Sequence, residues 1–342
     1  MKKLILKSQK SEYEIIIEKG IFKNLNKIIK LYSYQRCVII TDKNVYELYK
    51  EDIVNLNFEV VVIEPGEKSK TINTYESVIN KLLNMNFNRE DIIVSLGGGV
   101  VGDLSGFIAS TILRGVRYIQ VPTTLLSQVD SSIGGKVAIN SKYGKNLIGS
   151  FYHPLEVIID PEFLRTLPKR EIKSGMGELI KHAIIKDKNL FDLLNEYKSF
   201  NELYENIEEI LFISLNIKKE IVEIDEFDKG IRMILNFGHT IGHAIEKSFE
   251  EDFISHGEAI SFGMIHILEI FGEKEISEKL KLLLKKYDII NDYDYDIKKL
   301  YKYIKNDKKI LNDIINIVVV NEIGSAHIEK YTLTEFKDMI EG

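Results

Sequence analysis

The chain has 342 residues, 44% hydrophobic and 29% charged, with one cysteine and a formal net charge of −6. That length holds one large core or two smaller ones, and two domains are expected. The acidic balance, with no Lys/Arg block interleaved with aromatics, argues against a nucleic-acid partner, and the single Cys37 in RCVII excludes an internal disulfide and reads as a small buried hydrophobe.

The opening MKKLILKSQKSEYEIIIE begins basic, but its apolar run is too short for a signal core, and no stretch of about 20 apolar residues could span a bilayer. A soluble cytoplasmic protein with no membrane partner is expected. Short β-branched runs then follow in YEIIIE, CVIITD, FEVVVIEPG, DIIVSLGGG, YIQVPTT and LEVIID, each closed by turn or polar residues. Between two of them Ile72, Tyr75, Val78, Ile79, Leu82 and Leu83 recur at helical spacing. The alternation predicts an α/β protein whose N-terminal domain, residues 1–160, is a mostly parallel-sheet nucleotide-binding domain. After about Pro161 the pattern turns to long helical segments, so residues 161–342 are expected to form a mainly α-helical domain for metal and substrate. Near its end, Gly324 between two strand-like runs in INIVVVNEIGSAHIEKY predicts a hairpin.

DIIVSLGGGVVGDLSGFIAS places Gly97, Gly99 and Gly102 in a G-x-G-x-x-G pattern between a predicted strand and a predicted helix, where backbone N–H groups can approach a diphosphate. The ordinary dinucleotide fingerprint opens the first strand of its unit and carries an acidic ribose ligand about 20 residues later. Here that distance falls in YIQVPTT, so the loop belongs to another lineage of nucleotide site, with Asp42 a candidate ribose contact.

In NFGHTIGHA, His239 and His243 lie four positions apart on one predicted helix face, and His256 follows in SHGEAI. Upstream, SGMGELIKHAI carries Glu178, Lys181 and His182. A carboxylate with two or three imidazoles suits Zn²⁺ with a position open to a substrate oxygen. Spacing alone leaves open which histidines bind. Lys136, Lys142 and Lys145 cluster in SSIGGKVAINSKYGKN, and Lys181, Lys218 and Arg232 lie near the candidate ligands in sequence. Lys142 reads as solvated surface, and the others as an anion pocket for phosphate and carboxylate groups.

These motifs, in this order, resemble the 3-dehydroquinate synthase family of sugar phosphate cyclases. The resemblance covers roughly residues 36 to 310 and is carried by PGEKSK, GGGVVGDLSGF, RGVRYIQVPTTLLSQVDSSIGGKVAIN, GKNLIGSFYHP, LRTLPKRE, GELIKHAII, NFGHTIGHA and HGEAI. It implies that Glu178, His239 and His256 bind the metal, Zn²⁺ or Co²⁺ in its place, with His243 behind the ligands or in a proton relay and His182 given over to packing. It places NAD contacts on Asp42, Asn44, Glu67, Lys70, Gly98, Gly99, Asp103, Thr123, Thr124, Thr166 and Leu167, with Lys136 and Lys145 serving cofactor and substrate. Substrate contacts fall on Asp130, Lys136, Lys145, Asn146, Lys181, Lys218, Arg232 and Asn236, with Arg114 reaching phosphate from the neighbouring subunit of a homodimer. Val137 and Ala138 stand where the family often has Thr and Gly, which bears on loop shape. A glycine expected beyond DKK is missing, which bears on a tail contact from Lys308 or Lys309.

The chemistry implied begins with 3-deoxy-arabino-heptulosonate 7-phosphate, a phosphorylated sugar acid. NAD⁺ oxidises the C5 hydroxyl, the ketone acidifies the C6 proton, phosphate leaves, the hydride returns, and the opened ring recloses by an intramolecular aldol step. The substrate's own phosphate can act as the base, which accounts for the lack of an obvious dedicated carboxylate. Other readings are a deoxy-inosose synthase, a metal-dependent polyol dehydrogenase, whose neutral substrate gives the cations nothing to neutralise, and a silent metal-binding scaffold, which has no use for the nucleotide loop.

Overall fold

A computed structural model of the chain describes residues 1–9, 11–250, 253–291, 293–305 and 312–341, so Lys308 and Lys309 lie outside the described residues. The chain forms two compact units, Met1–Leu167 and Pro168–Gly342.

The first unit is built on β1 (Lys2–Lys7), β2 (Glu12–Ile17), β3 (Cys37–Asp42), β4 (Glu59–Ile63), β5 (Ile92–Gly97), β6 (Arg117–Pro122), β7 (Lys136–Ser141), β8 (Gly144–Phe151) and β9 (Glu156–Ile159). Seven of these make one sheet in the order β1-β2-β9-β6-β5-β3-β4. All its pairings are parallel except β1 with β2. Alternate residues of the central strands enter opposite cores: Val38, Ile40 and Ile93 pack on one face, Ile39, Ile92 and Val94 on the other. Burial on both faces explains why these strands read as unbroken β-branched runs. Helix α1 (Ile72–Asn84) buries Val78 and Leu82 of the predicted apolar spacing and packs Tyr75 and Ile79 beside them, whereas Ile72 and Leu83 are exposed; Thr71 caps it through the Thr74 N–H. Helix α2 (Gly99–Thr111) follows β5.

Two features depart from the expectation. β1 pairs at the sheet edge, burying Leu4 and Leu6 and exposing Ile5 between flanking lysines. The stretch carrying Lys136, Lys145 and Asn146 is the antiparallel hairpin β7–β8. Val137 and Ala138 are therefore strand residues rather than loop residues, and Val137 fills the space over Gly106, where an added Cβ would lie 2.4 Å from its Cγ1.

The second unit contains α3 (Lys169–Lys186), α4 (Ile207–Ile224), α5 (His239–Ser248) and α6 (His256–Ile270), with further helices around them. The late hairpin is present as β10 (Ile314–Glu322) and β11 (Ser325–Thr332), antiparallel, with Gly324 at φ 94° in the turn. Among the described residues, no helix is long and apolar enough to cross a membrane.

Candidate active site

In the first unit the sheet order reverses its direction of growth at β3 and β5: β4 lies outside β3, while β6 lies beyond β5. Ligands of open α/β sheets bind at the carboxyl ends of strands flanking such a point. Asp42 ends β3 and Gly97 ends β5 on that edge, and Thr41 pairs with Leu96. Gly98 precedes α2 and has no side chain to cap it, so the first-turn N–H groups of the helix remain available to an anion. A Cβ on Gly98 would lie 2.9 Å from Thr124 Cγ2, and one on Gly99 would lie 3.2 Å from Ser131 Oγ. Their lack of side chains lets the segment after β6 close over the start of α2. There Thr123 N–H donates to the Gly97 carbonyl at 3.0 Å. The Thr124 and Ser127 hydroxyls meet at 2.8 Å and open a π-helical turn, Ser127–Ser131, that carries Asp130.

Asp42 accepts the Val45 N–H at 3.1 Å as a helix cap. Burial pushes its carboxyl above the ordinary range, and N–H groups of Val45 and Asn44 only partly oppose this. Asn44 is exposed in the first turn of that helix. Lys70 is the hub of the nearby polar group: its side chain is 4% exposed and its Nζ donates to Asp103 Oδ2 and Asn146 Oδ1, both at 2.5 Å, with Glu67 Oε1 at 4.0 Å. Residues that the resemblance divides between cofactor and substrate thus share one ammonium. Asn140, which the sequence reading passed over, joins the same group. Lys136 and Lys145 are exposed on the hairpin, and Lys142 is exposed with its Nζ 4.9 Å from the Tyr143 ring centroid. Thr166 exchanges a hydrogen bond with Tyr49 Oη at 2.6 Å, and Leu167 follows it. Arg114 is exposed in a left-handed turn, φ 69°, beside Leu113 and Gly115, which are also at positive φ.

In the second unit three helices approach backbone to backbone. A Cβ on Gly177 of α3 would lie 2.6 Å from the Gly257 carbonyl oxygen of α6, and one on Gly263 of α6 would lie 2.0 Å from the Gly238 oxygen just before α5. These contacts bring Glu178, His239 and His256 together, and their ligand atoms lie within 4.8 Å of one another. Glu178 is 1% exposed, and its Oε1 lies 3.7 Å from both His239 Nε2 and His256 Nε2. Lys181, itself 1% exposed, hydrogen-bonds Glu178 Oε2, leaving Oε1 without a hydrogen-bond partner. A buried carboxylate oxygen facing two imidazole nitrogens is a donor set for a divalent cation with an open position, and the residues fit that group. The other ring nitrogens are turned outward: His239 Nδ1 meets the Phe237 carbonyl at 3.2 Å and His256 Nδ1 meets Glu246 Oε2 at 3.4 Å. Such partners fix the tautomer that presents Nε2 to a metal. Burial works against charging His256, but the Glu246 hydrogen bond and the Glu178 and Glu246 carboxylates outweigh it and raise the pKa of its imidazole. Glu246 was not singled out in the sequence, although its i+7 spacing from His239 and i+3 spacing from His243 put it on the same helix face as both.

His243 adjoins this group, its ring centroid 5.2 Å from that of His239 and 5.9 Å from that of His256. His182 is fully buried, and its Nδ1 meets Ser214 Oγ at 2.8 Å. Lys218 on α4 and Arg232 are also buried, and Arg232 donates to the Glu226 carbonyl. Asn236 ends the same 3₁₀ segment as Arg232, immediately ahead of the Phe237–Gly238 bend into α5. Burying Lys181, Lys218 and Arg232 in one unit is costly unless anions offset them, which a solvated-surface reading does not account for.

Comparison with known proteins gives the same answer along the whole chain. Residues 60–174 match the family model described as 3-dehydroquinate synthase N-terminal, and residues 175–310 match that described as 3-dehydroquinate synthase C-terminal. A 3-dehydroquinate synthase of Clostridium botulinum (strain Alaska E43 / Type E3) is 44% identical, covering 98% of this chain and 100% of that one. One of Clostridium acetobutylicum is 47% identical, covering 96% of each. Among solved structures, a 2-deoxy-scyllo-inosose synthase complexed with carbaglucose-6-phosphate, NAD⁺ and Co²⁺ superposes with a TM-score of 0.88 at 26% identity, covering 100% of both chains. The chain belongs to the 3-dehydroquinate synthase family.

Proposed function

We propose that this chain is an NAD- and metal-dependent lyase that converts 3-deoxy-arabino-heptulosonate 7-phosphate to 3-dehydroquinate and phosphate, within the shikimate pathway to aromatic amino acids. The observation that carries this reading is the pairing of the Glu178, His239 and His256 donor set with the buried cations Lys181, Lys218 and Arg232. A neutral polyol would present no phosphate or carboxylate for these cations to bind. Relatives at 44% and 47% identity carry the name of this synthase, against 26% for the inosose synthase, which favours dehydroquinate over inosose formation. The solved inosose synthase contains NAD⁺ and Co²⁺, which supports the same cofactor classes here, with Zn²⁺ or Co²⁺ as the ion.

When bound, NAD⁺ supplies a reversible hydride acceptor and the divalent ion lowers the pKa of a hydroxyl it ligates. The chain's own residues do the rest. Asp42, Asn44, Glu67, Lys70, Gly98, Gly99, Asp103, Thr123, Thr124, Thr166 and Leu167 hold the nucleotide within the first unit. Glu178, His239 and His256 hold the ion within the second, and Lys181, by occupying Glu178 Oε2, keeps Oε1 directed at it. Lys136, Lys145, Lys181, Lys218 and Arg232 offset the charges of substrate phosphate and carboxylate, while Asp130, Asn146 and Asn236 orient its hydroxyls. His243 stands behind the ligands or passes a proton in a relay beside them. Residence in the cytoplasm and a homodimer in which Arg114 serves the neighbouring subunit belong to the same reading.

The test uses purified chain with zinc, the heptulosonate phosphate and far less NAD⁺ than substrate, following released phosphate and NADH absorbance together. Phosphate exceeding total NAD many times over, with no lasting NADH, is expected. NADH accumulating with glycerol and no phosphate release would establish a dehydrogenase instead, and phosphate release from glucose 6-phosphate alone would favour an inosose synthase.

A further inference from the structure

The polar group around Lys70 is held by a residue with no assigned role. We infer that Asn140 is a positioning residue that sets the geometry of Lys70 and Asn146 for cofactor and substrate. Its side-chain amide is used at both ends: Nδ2 donates to Glu67 Oε1 at 2.6 Å, and Oδ1 accepts the Asn146 N–H at 2.8 Å. Its backbone N–H donates to the Lys70 carbonyl at 2.8 Å. One residue therefore touches Glu67, Lys70 and Asn146, the last two of which meet through Lys70 Nζ and Asn146 Oδ1 at 2.5 Å.

The local backbone is shaped for this contact. The β7–β8 ladder pairs Ile139 with Ile148 and then Ser141 with Gly144, with a register shift between Ile139 and Ser141, and Asn140 is the residue at that shift. A bulge releases a residue from the ladder and re-aims its side chain. Across the hairpin, Asn146 is in the left-handed region at φ 57°, a conformation that asparagine adopts more readily than most residues but that still needs support. Asn140 Oδ1 supplies it by holding the Asn146 N–H. Without that hold, Asn146 Oδ1 is no longer directed at Lys70, and Lys70 Nζ keeps Asp103 and the more distant Glu67. Glu67 loses its donor in the same step.

This inference rests on the proposed function, in which Lys70 and Glu67 serve NAD and Asn146 serves substrate. It is tested by comparing the full chain with Asn140→Ala and Asn140→Asp for NAD affinity by calorimetry, for KM and kcat, and for melting temperature. In Asn140→Ala, the NAD Kd and the substrate KM are each expected to rise about tenfold, the effect of losing one or two hydrogen bonds, with kcat and melting temperature close to the parent. In a Glu67→Gln background, which removes the repulsion between the introduced carboxylate and Glu67 and supplies a donor to it, Asn140→Asp still accepts the Asn146 N–H and should restore most of the substrate KM lost in Asn140→Ala. A change confined to melting temperature and active fraction, or an Asn140→Asp variant as impaired in KM as Asn140→Ala when both carry Glu67→Gln, would overturn the positioning role. A parent chain that binds no NAD would overturn the proposed function and this inference with it, whereas a parent that binds NAD while Asn140→Ala binds it equally well would overturn the inference alone.

Discussion

Gly257 lies so close to Ser174 that a Cβ added to it would be 2.0 Å from the Ser174 carbonyl oxygen. The contact joins the first turn of α6 to α3 one turn ahead of Glu178, and so sets the 3.7 Å separation of Glu178 Oε1 and His256 Nε2. Since the obstructing atom is backbone, Gly257→Ala must push the helices apart. Overpacking of this kind costs roughly 1–3 kcal/mol. The variant is expected to melt lower and also to bind zinc more weakly, since a donor set tolerates little displacement. A variant that melts lower with zinc affinity unchanged would show that the glycine serves packing alone.

The parallel strands were legible because burial on both faces leaves β-branched runs bounded by turn residues, as in CVIITD and DIIVSLG. The helix over Ile72–Asn84 was legible because only one of its faces is apolar. β1 was obscured because its lysines give it the look of a charged leader. The β7–β8 hairpin was obscured because β8 is exposed along nearly its whole length and so lacks the alternation that marks a half-buried strand. Within the site, the order of motifs pointed to donors and cations. Asn140 and Glu246 were not legible because their roles depend on partners that the fold supplies: Glu67 is 73 positions from Asn140, and His256 is ten from Glu246 on another helix.

The proposed ligand set predicts a sharp contrast between neighbouring histidines. His256→Ala removes one of the Nε2 atoms that face Glu178 Oε1 and should abolish tight zinc binding. His243→Ala should leave most of it, because the proposed donors all remain. Glu246→Ala should fall between them, loosening zinc by roughly 10–100-fold through loss of the partner that orients His256. Elemental analysis after dialysis against a graded chelator series reads all three. Equal loss in the two histidine variants would place His243 among the ligands.

Lys136 is exposed at the start of β7, so its effect on a charged ligand should be screened by salt. For the parent, affinity for a phosphonate analogue of the substrate is expected to fall steeply between low and moderate ionic strength. Lys136→Ala should bind more weakly at low salt and show a shallower dependence. Calorimetric titration at two ionic strengths decides it; identical affinities would return Lys136 to the solvated surface.

Asp225 gives a pH dependence of definite sign. Its carboxylate accepts the N–H groups of Lys229 at 3.0 Å, Gly230 at 2.7 Å and Arg232 at 3.1 Å, folding the turn that leads into buried Arg232. Burial alone would raise its pKa, but the three N–H donors and the Arg232 charge outweigh this and hold the carboxyl below the ordinary aspartate value. Because the folded pKa is lower than the unfolded value of about 3.9, the carboxylate's contribution to stability is fully present above that value. It is lost as pH falls through the lowered folded pKa. Asp225→Asn removes the charge and keeps one acceptor oxygen. At pH 6 the variant should therefore melt below the parent, and the two melting curves should begin to converge below about 4, where the unfolded chain's carboxylate takes up its proton, and come together as pH falls through the lowered folded pKa. Melting temperature followed by circular dichroism from pH 6 to pH 2.5 tests this. A constant offset across the whole range would mean that the Asp225 charge does not hold the turn, and coincident curves would mean that a neutral acceptor satisfies the backbone donors as well.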